Sequence, residues 1–475
     1  MGKYKNFAIN LLVFFITTVA TKLMSFILIP LYTYYLAASE YGITDMSATV
    51  ITLVFPIATL SLADGVVRFV IDDTDNEKRY ITASFYVVLL GCVVVALLLP
   101  LLDLSFFGGL GNYKALFYGA FVTTVIQSYF ANVARALNKM KIIPWCATMS
   151  AVSTCLSAVL LIGHYRMAVI GYFYSIIFGQ IVGMLMYAFW GQYHKHIRLI
   201  SRKDFAYLKR MLAYSLPLVP DAVLWWMNTS INRFFITGML GIAASGLFAA
   251  AQKIPNILSL FNNIFQQAWS LSAFQEFKKR DISGFFSVMF KLYYALVVSG
   301  SAVMIILAPW LASILLQKGF YSGWIYIPIM ILAFYFNAFN IFYGSVFTTT
   351  MKTKYVMVTT FAGAVAVTLF TWLLIPVLGL LGAGIALVLS NVIVVVMRAV
   401  VSRRFLKFSV NWLATGASMA LLIAETVVMT MRVEGYMLWS GVFVGGVVIL
   451  QGLLVWPLLR KVLVRRFHRE RMSRA

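Results

Sequence analysis

One uninterrupted apolar stretch near the start of the chain decides the fold class. Residues Phe7–Leu36 read FAINLLVFFITTVATKLMSFILIPLYTYYL, thirty positions that carry a single charge, Lys22. About 20 such residues are enough to cross the hydrocarbon core of a bilayer as a helix. The stretch is longer than the apolar region of a signal peptide, and no A-x-A-like site closes it. We therefore expect a permanent membrane span rather than a cleaved leader.

The same pattern continues along the whole chain of 475 residues. The residues AVILMFWYC make up 62% of it and DEKR only 11%, whereas a soluble domain has about 25% charged residues. Fourteen apolar segments follow one another, from Phe7–Leu36 to Tyr436–Leu459, and the second is expected as one span over Met46–Val70. The sequence therefore predicts an all-α polytopic membrane protein with 14 transmembrane helices and short loops.

Lysine and arginine are distributed unevenly about these segments, although the formal net charge is +23. When loops are counted alternately from an inner N-terminus, 31 of the 38 Lys and Arg residues fall on the inner side. The outer loops hold only Lys114, Arg166, Lys318 and Arg432. Because Lys and Arg beside spans are retained in the cytoplasm, we expect both termini to be cytoplasmic. Topology and anionic membrane lipids then explain the basic charge, and nucleic acid is not an expected partner.

The two halves of the chain resemble each other, which indicates an internal duplication. Asn138–Lys141 is matched 213 residues later by Met351–Lys354, and Gly42 is matched 204 residues later by Gly246. Since six spans is an even number, the second copy enters the membrane from the same side as the first. The expected domains are an N-terminal six-helix lobe (1–190), a basic cytoplasmic linker (191–210), a C-terminal six-helix lobe (211–401), and two extra helices with a basic cytoplasmic tail (402–475).

Charged and polar side chains inside the spans predict an aqueous cavity between the lobes. A charge at the centre of a membrane helix costs about 2.5–3.5 kcal/mol, so Lys22, Lys253 and Arg233 are expected to face water or a partner. Along the eighth span, from Ser245 onward, polar residues share one helical face. The expected cavity lining is Ser25, Asn228, Gln252, Asn256, Ser259, Asn263 and Gln266. The alternatives are hydrogen-bonded helix packing for this stripe and snorkelling to the surface for Arg233.

The chain has few acidic residues, and their positions offer few candidates for ion binding or catalysis. Asp221 and Asp64 are candidates for binding a coupling ion, although an ion pair of Asp64 with Arg68, four residues later, is the alternative. Asp45 is counted with the outer loops, and Glu425 has no assigned role. P-loop, H-E-x-x-H and C-x-x-C motifs are missing from the sequence. We therefore expect no ATP site, no metal site, no cofactor and no enzymatic activity.

Several segments together resemble the polysaccharide transporter (Wzx-like) family of the multidrug/oligosaccharidyl-lipid/polysaccharide (MOP) superfamily. The segments that carry this resemblance are Ser25–Thr33, Glu40–Asp45, Asp64–Phe69, Asn232–Ile236, Gly246–Ile254, Ile264–Trp269 and Leu374–Ala386. Two departures stand out, because Asn232 replaces the Asp that commonly precedes the Arg, and Gly384 replaces an Ala. The first departure removes a charge partner for Arg233.

The resemblance implies a flippase that moves an undecaprenyl-diphosphate-linked oligosaccharide, the repeat unit of a cell-surface polysaccharide. Transport would run from the inner to the outer leaflet of a bacterial plasma membrane by alternating access, with Lys22, Lys253 and Arg233 near the phosphates. A polysaccharide polymerase and glycosyltransferases are candidate partners. The alternative is an exporter of drugs or other amphiphiles from the same superfamily. A cationic drug favours an acidic cavity, so the sign of the cavity charge separates the two functions.

Overall fold

The computed structural model is helical throughout its described part. It describes residues 24, 26–193, 196–201, 204–259, 261–262, 265–266, 269 and 282–457, and the backbone of 458–472. Within these residues helices are joined by turns, and no strand is present. Inside a bilayer only helices and closed barrels satisfy every backbone hydrogen bond. The expected all-α class is confirmed.

The chain divides into two compact units. Unit 1 comprises Met1–Ala250 with Leu315–Phe320, and unit 2 comprises Ala251–Ile314 with Tyr321–Ala475. The helices of unit 1 are α1 (Phe26–Tyr35), α2 (Ala38–Ala58), α3 (Leu62–Asp72), α4 (Glu77–Leu98), α5 (Lys114–Ala136), α6 (Ile142–Ala158), α7 (Ala168–Gly191), α8 (Asp204–Ser215), α9 (Leu218–Leu240) and α10 (Ile242–Gln252). Helices α9 and α10, which the sequence assigns to the second lobe, thus fall mainly in unit 1. The six-helix lobes stay a prediction.

Unit 2 contains the remaining helices. They are α11 (Ile282–Ile306), α12 (Ala308–Leu315), α13 (Ile327–Thr349), α14 (Lys354–Ser402), α15 (Trp412–Met431) and α16 (Tyr436–Met472). Across both units, nine helices of the described residues are long and apolar enough to cross a membrane. The chain is therefore a multi-pass membrane protein, and the count of 14 stays a prediction.

The expected second span, Met46–Val70, is split into two helices. Leu60 and Ser61 have left-handed backbone angles, φ 50° and 53°, and they separate α2 from α3. The split follows Pro56, whose carbonyl accepts a hydrogen bond from the Ser61 N–H at 3.0 Å. A single straight span was the wrong prediction here, because two consecutive left-handed residues cannot continue a right-handed helix.

The basic linker is partly folded. Its last residues begin α8, which packs against α3 and α4 in unit 1. The fully buried Asp204 carboxylate accepts hydrogen bonds from the Arg198 guanidinium and the Ser201 N–H, both at 2.8 Å. The second bond satisfies a free N–H just before the helix begins. The linker therefore joins α7 to α9 through an ordered helix.

The two repeated segments have the same backbone conformation at their helix ends. Asn138 and Met351 are both left-handed, with φ 55° and 59°. In each copy the next N–H, of Lys139 or Lys352, donates to the carbonyl five residues back, at 2.8 and 2.7 Å. This is the 6→1 bond of a Schellman cap. Since few non-glycine residues take a positive φ, the shared exception supports the duplicated register.

A second pair of residues with positive φ occurs at the same offset of 213. Arg166 precedes α7 with φ 57°, and Gly379 interrupts α14 with φ 57°. Glycine takes this conformation without steric cost, and Pro376 lies one turn before it. Helix α14 is therefore two helices joined at Gly379, in the positions that α6 and α7 occupy in the first copy.

Gly42 and Gly246, which are 204 residues apart, let the backbones of α2 and α10 come into contact. A Cβ on Gly42 would lie 2.1 Å from the carbonyl oxygen of Ile242, and a Cβ on Gly246 would lie 2.0 Å from that of Ala38. Ala38 and Ile242 are themselves 204 residues apart, so each copy presents the same two positions to the other. The contact is reciprocal, as at a two-fold interface.

Candidate functional site

Helices α2 and α9 bring together a buried ion pair. The Arg233 Nε donates to the Asp45 Oδ2 at 2.6 Å, and the two side chains are only 13% and 8% exposed. Helix α2 begins at Ala38, so Asp45 lies two turns inside a helix and not in an outer loop. The departure at Asn232 therefore does not leave Arg233 unpaired, because the acid comes from another helix. Arg233 does not snorkel to the surface.

The ion pair belongs to a longer contact surface, which we call the α2 seam: α2 packed against α9 and α10. The Trp226 indole Nε1 donates to the Thr49 carbonyl at 3.1 Å, within the buried interior. From Trp226 through Arg233 to Gly246, the contact positions on α2 run backwards along the chain. The seam therefore ties α2 to both helices along much of its length.

Polar atoms without partners also occur on α9 and α10, the two helices that α2 contacts in this seam. Asn232 is fully buried, and neither atom of its amide group has a hydrogen-bond partner among the described residues. The hydroxyls of Thr237 and Ser245 are buried and unpartnered in the same part of the structure. Each such group costs about 1–3 kcal/mol relative to a hydrated one. Helices α9 and α10 therefore carry buried polar groups that are costly to keep dry.

Helix α1 makes further contacts with residues 315–320, also within unit 1. The Thr33 hydroxyl donates to the Leu315 carbonyl at 3.0 Å and accepts from the Gln317 N–H at 3.1 Å. The Lys318 ammonium lies 4.0 Å from the centre of the Tyr34 ring, a cation–π contact. The C-terminal end of α1 is thus bound to a segment far away in the sequence.

The polar stripe of the eighth span does not lie on one straight helix. Helix α10 ends at Gln252, and Lys253, Ile254 and Pro255 form a turn before a helical segment resumes at Asn256. Proline has no N–H to continue the α-helical ladder, and the Ile254 N–H instead bonds the Ala251 carbonyl at 3.2 Å. The prediction of one continuous helical face was wrong for this reason.

The residues of the stripe differ in exposure. Gln252 and Lys253 are half-buried and interact with neighbouring groups, whereas Asn256 and Gln266 are exposed. The Ser259 hydroxyl donates to the Asn256 carbonyl at 2.5 Å, a local bond that leaves its oxygen free to accept. On α9, the half-buried Asn228 donates to the Leu224 carbonyl of its own helix at 2.9 Å. Lys22, Ser25 and Asn263 lie outside the described residues, so convergence of all these groups on one cavity stays a prediction.

The two candidates for ion coupling are both exposed. Asp221 lies in the first turn of α9, and Asp64 lies in the first turn of α3. Arg68 pairs with Asp72 at 2.8 Å rather than with Asp64, and both partners of that pair are more than half exposed. The alternative for Asp64, an ion pair with Arg68, is therefore wrong, since Arg68 bonds toward the other end of α3.

The buried guanidinium of Arg398, in unit 2, was not predicted from the sequence. Arg398, which the topology count assigns to the inner side, is 8% exposed and bonds three neutral acceptors. Its Nε donates to the Thr359 hydroxyl at 2.9 Å, its Nη1 to the Asn340 carbonyl at 2.6 Å, and its Nη2 to the Thr360 hydroxyl at 3.1 Å. These bonds join α13 to both halves of α14. No sequence motif marks the residue, because its acceptors lie on two other helical segments, α13 and the first half of α14.

In the described part of the chain, no group of three or more His, Cys, Asp or Glu side chains could hold a metal ion. The chemistry available there is ion pairing and hydrogen bonding by Arg, Lys, Asn and Gln. Such groups have the chemistry to bind and release a polar or anionic ligand.

Comparisons with known proteins agree with this architecture. A sequence profile of the family described as polysaccharide biosynthesis protein matches residues 7–271, more than half of the chain. None of the curated proteins compared with the chain matches it. The resemblance to the polysaccharide transporter family of the MOP superfamily is confirmed.

Solved structures show the same fold at low sequence identity. The lipid II flippase MurJ in an inward closed conformation is 14% identical, with a TM-score of 0.70 over 94% of this chain and 99% of MurJ. An inward-facing multidrug resistance MATE family transporter of the MOP superfamily is 14% identical, with a TM-score of 0.64 over 86% of this chain and 95% of its own. The fold is that of MOP-superfamily transporters.

Proposed function

Because the chain belongs to the polysaccharide biosynthesis protein family, we propose that it is a flippase for a lipid-linked oligosaccharide. Its substrate would be an undecaprenyl-diphosphate carrying the repeat unit of a cell-surface polysaccharide, moved from the inner to the outer leaflet of a bacterial plasma membrane. The family match supports this function, and so does the shared fold with a lipid II flippase. A polysaccharide polymerase and glycosyltransferases would then act beside it.

The proposed architecture is two parallel six-helix repeats with two extra helices and cytoplasmic termini. It is supported by the uneven distribution of Lys and Arg and by the matched residues with positive φ, Asn138 with Met351 and Arg166 with Gly379. With this topology, α2 begins and α9 ends at the outer face. The α2 seam then closes the outer side of the path between the repeats.

The α2 seam is the observation that carries the alternating-access mechanism. Its reciprocal glycine contact and the Asp45–Arg233 ion pair hold the repeats together, whereas the unpartnered Asn232 makes the dry state costly. That cost disappears when the seam opens and water reaches the amide. A surface that is dry in one state and wet in another is what an outer gate requires.

The substrate diphosphate would be held by cations that the cycle exposes in turn. Lys22 and Lys253 are the proposed first contacts, while the charge of Arg233 is engaged by Asp45 in this closed arrangement. Opening of the seam would break that pair and give the phosphates a third cation near the outer face. The polyprenyl tail would stay in lipid throughout.

Loss of the Lys253 charge is expected to reduce flipping. A charge pair at 4 Å and an effective dielectric of 20 is worth about 4 kcal/mol before desolvation, and a net quarter of it is about fivefold in affinity. We expect Lys253→Gln to lower the rate at which lipid-linked oligosaccharide appears on the outer leaflet by at least about fivefold. Lys253→Arg should retain part of the rate, because the charge persists while the geometry of the head group changes.

The matched control is Lys352→Gln, which removes one charge from an exposed lysine and should leave the rate unchanged. All variants are compared at equal membrane levels. Normal flipping by the double variant Lys22→Gln with Lys253→Gln would contradict the anion site. That result would favour the exporter of cationic drugs instead.

Asp221 and Asp64 are the proposed acids for ion coupling. Asp221→Asn or Asp64→Asn should lower transport driven by an H⁺ or Na⁺ gradient in proteoliposomes, because an amide cannot release or bind the ion. Asp72→Asn, which breaks an exposed ion pair on α3, is the control. Unchanged gradient-dependent transport in both Asp221→Asn and Asp64→Asn would remove these residues from the mechanism.

A further inference from the structure

The last two helices enclose a polar seam of their own. Helices α15 and α16 pack as a pair, and both pack against α11 in unit 2. One face of α15 is buried along its whole length: Ala414, Ser418, Leu422, Glu425, Thr426 and Met429. Glu425, whose role could not be assigned from the sequence, lies on this face.

Two hydrogen bonds connect α15 and α16 across this face. The Gln451 amide donates to the Ser418 hydroxyl at 2.7 Å, and the Ser440 hydroxyl donates to the Glu425 Oε1 at 2.8 Å. All four side chains are less than 5% exposed. The two bonds fix the antiparallel register of the pair.

The Glu425 carboxyl has too few hydrogen-bond donors around it to stabilise a negative charge. It is fully buried, and its second oxygen, Oε2, has no hydrogen-bond partner among the described residues. None of the ion pairs formed by described side chains includes it. A buried carboxylate ordinarily needs a cation or several donors to remain ionised.

The surrounding helices supply no cation at this depth. The titratable or charged residues of α11, of α13 and of α16 up to residue 457 are Lys291, Tyr293, Tyr294, Tyr335, Tyr343 and Tyr436. At the turn that joins α15 to α16, the Arg432 guanidinium stacks on Trp324 at 4.9 Å, and Glu434 is exposed. Lys291 is therefore the one positive charge on these described helix segments.

Lys291 lies too far along the bundle to pair with Glu425. The Tyr294 hydroxyl donates to the Thr415 carbonyl at 2.8 Å, and the Ser409 N–H donates to the Ser287 hydroxyl at 2.8 Å. Helix α11 therefore runs parallel to the chain from Ser409 into α15, with Lys291 before the level of Thr415. Glu425 is ten residues beyond Thr415, about 15 Å farther at 1.5 Å per residue.

We propose that Glu425 is a proton-binding site that controls the packing of α15 and α16 on each other. With a proton bound, the carboxyl is neutral and remains in the dry seam beside Ser440. When the pair opens, water reaches the acid and the proton leaves. Glu425 is six residues from the end of α15, about 9 Å, so the proton would exchange with the nearby aqueous face.

The difference in bound protons between the closed and the opened helix pair determines the direction of the pH dependence. The closed pair holds one proton more than the opened pair, so a rise in pH favours opening. One proton changes the opening equilibrium by up to tenfold per pH unit. Acidic conditions should therefore keep α15 and α16 packed, and alkaline conditions should loosen them.

Hydrogen–deuterium exchange of the full chain in lipid nanodiscs tests the proposal. After correction for intrinsic exchange rates, amides of α15 around Glu425 should open up to tenfold more per pH unit between neutral and alkaline pH. Glu425→Gln keeps an oxygen that accepts from Ser440 and cannot ionise, so protection should become independent of pH. Glu434→Gln, an exposed acid of the same helix pair, should behave as the native chain. A native-like pH dependence in Glu425→Gln would overturn the proposal.

Infrared spectroscopy of the native chain gives a second readout that does not depend on a variant's folding. At neutral pH, where exposed carboxyls are ionised, we expect a carbonyl band of a protonated carboxylic acid that shifts in deuterium oxide. The band should persist in Glu434→Gln and disappear in Glu425→Gln. Absence of any protonated-acid band from the native chain at neutral pH would also overturn the proposal.

Discussion

Replacing Gly246 by valine is expected to abolish flipping and to lower the thermal stability of the protein. Even the first carbon of the new side chain would lie 2.0 Å from the Ala38 carbonyl oxygen and 2.7 Å from the Gly42 nitrogen. These are backbone atoms, so the helices must separate by more than 1 Å to restore ordinary contact. Overpacking costs about 1–3 kcal/mol when side chains can adjust, and here a helix has to move. The measurements are thermal unfolding and outer-leaflet appearance of the lipid-linked oligosaccharide.

The matched control is Gly441→Val on α16, where an added Cβ would meet nothing within 4 Å. It introduces the same side chain into a helix and changes the helix propensity in the same way, without a steric clash. Gly42→Val should reproduce the defect of Gly246→Val, because the contact is reciprocal. Native transport and stability in Gly246→Val would show that the two helices are not in backbone contact.

Breaking the Asp45–Arg233 pair from one side is expected to have the second large effect. Arg233→Gln leaves the Asp45 carboxylate buried without its cation, and removal of one partner from a buried pair costs about 3–5 kcal/mol. The double variant Asp45→Asn with Arg233→Gln removes both charges and should recover a large part of that stability. Flipping should remain impaired in both, because the double variant also lacks the cation proposed for the outer gate.

Unfolding free energies for the native chain, both single variants and the double variant form a complete cycle. Arg68→Gln provides the comparison, since Arg68 and Asp72 are 63% and 57% exposed. Exposed ion pairs are worth about 0–1 kcal/mol, so this variant should be nearly as stable as the native chain. Simple additivity of the Asp45→Asn and Arg233→Gln losses would show that the two charges do not interact.

The helical class and the membrane character could be predicted from the sequence, because both depend on local composition. A run such as Phe7–Leu36 has few stable alternatives to a membrane helix. The match between the helix ends at Asn138 and Met351 could also be predicted from the sequence, since each end is set by a few neighbouring residues. Even there, only the structure revealed that both take the same left-handed angle.

The pairings at the candidate site could not be predicted in the same way. Asp45 and Arg233 are 188 residues apart, and nothing in the sequence near either residue indicates its partner. The Arg398 site depends on Asn340 of α13 and on Thr359 and Thr360 of the first half of α14 meeting Arg398, so a count of loop charges could not reveal it. The prediction of one continuous polar stripe through Lys253 was wrong for a local reason. Pro255 interrupts the helix, and the periodicity of the stripe assumes an unbroken helix.

The reciprocal glycine contact also bears on how the two copies can change over time. A larger residue at either glycine meets a carbonyl supplied by the other copy, so neither position can vary without the opposite helix giving way. A substitution tolerated at Gly42 or Gly246 would therefore need a compensating change in the opposite helix, so a change at one helix constrains the other.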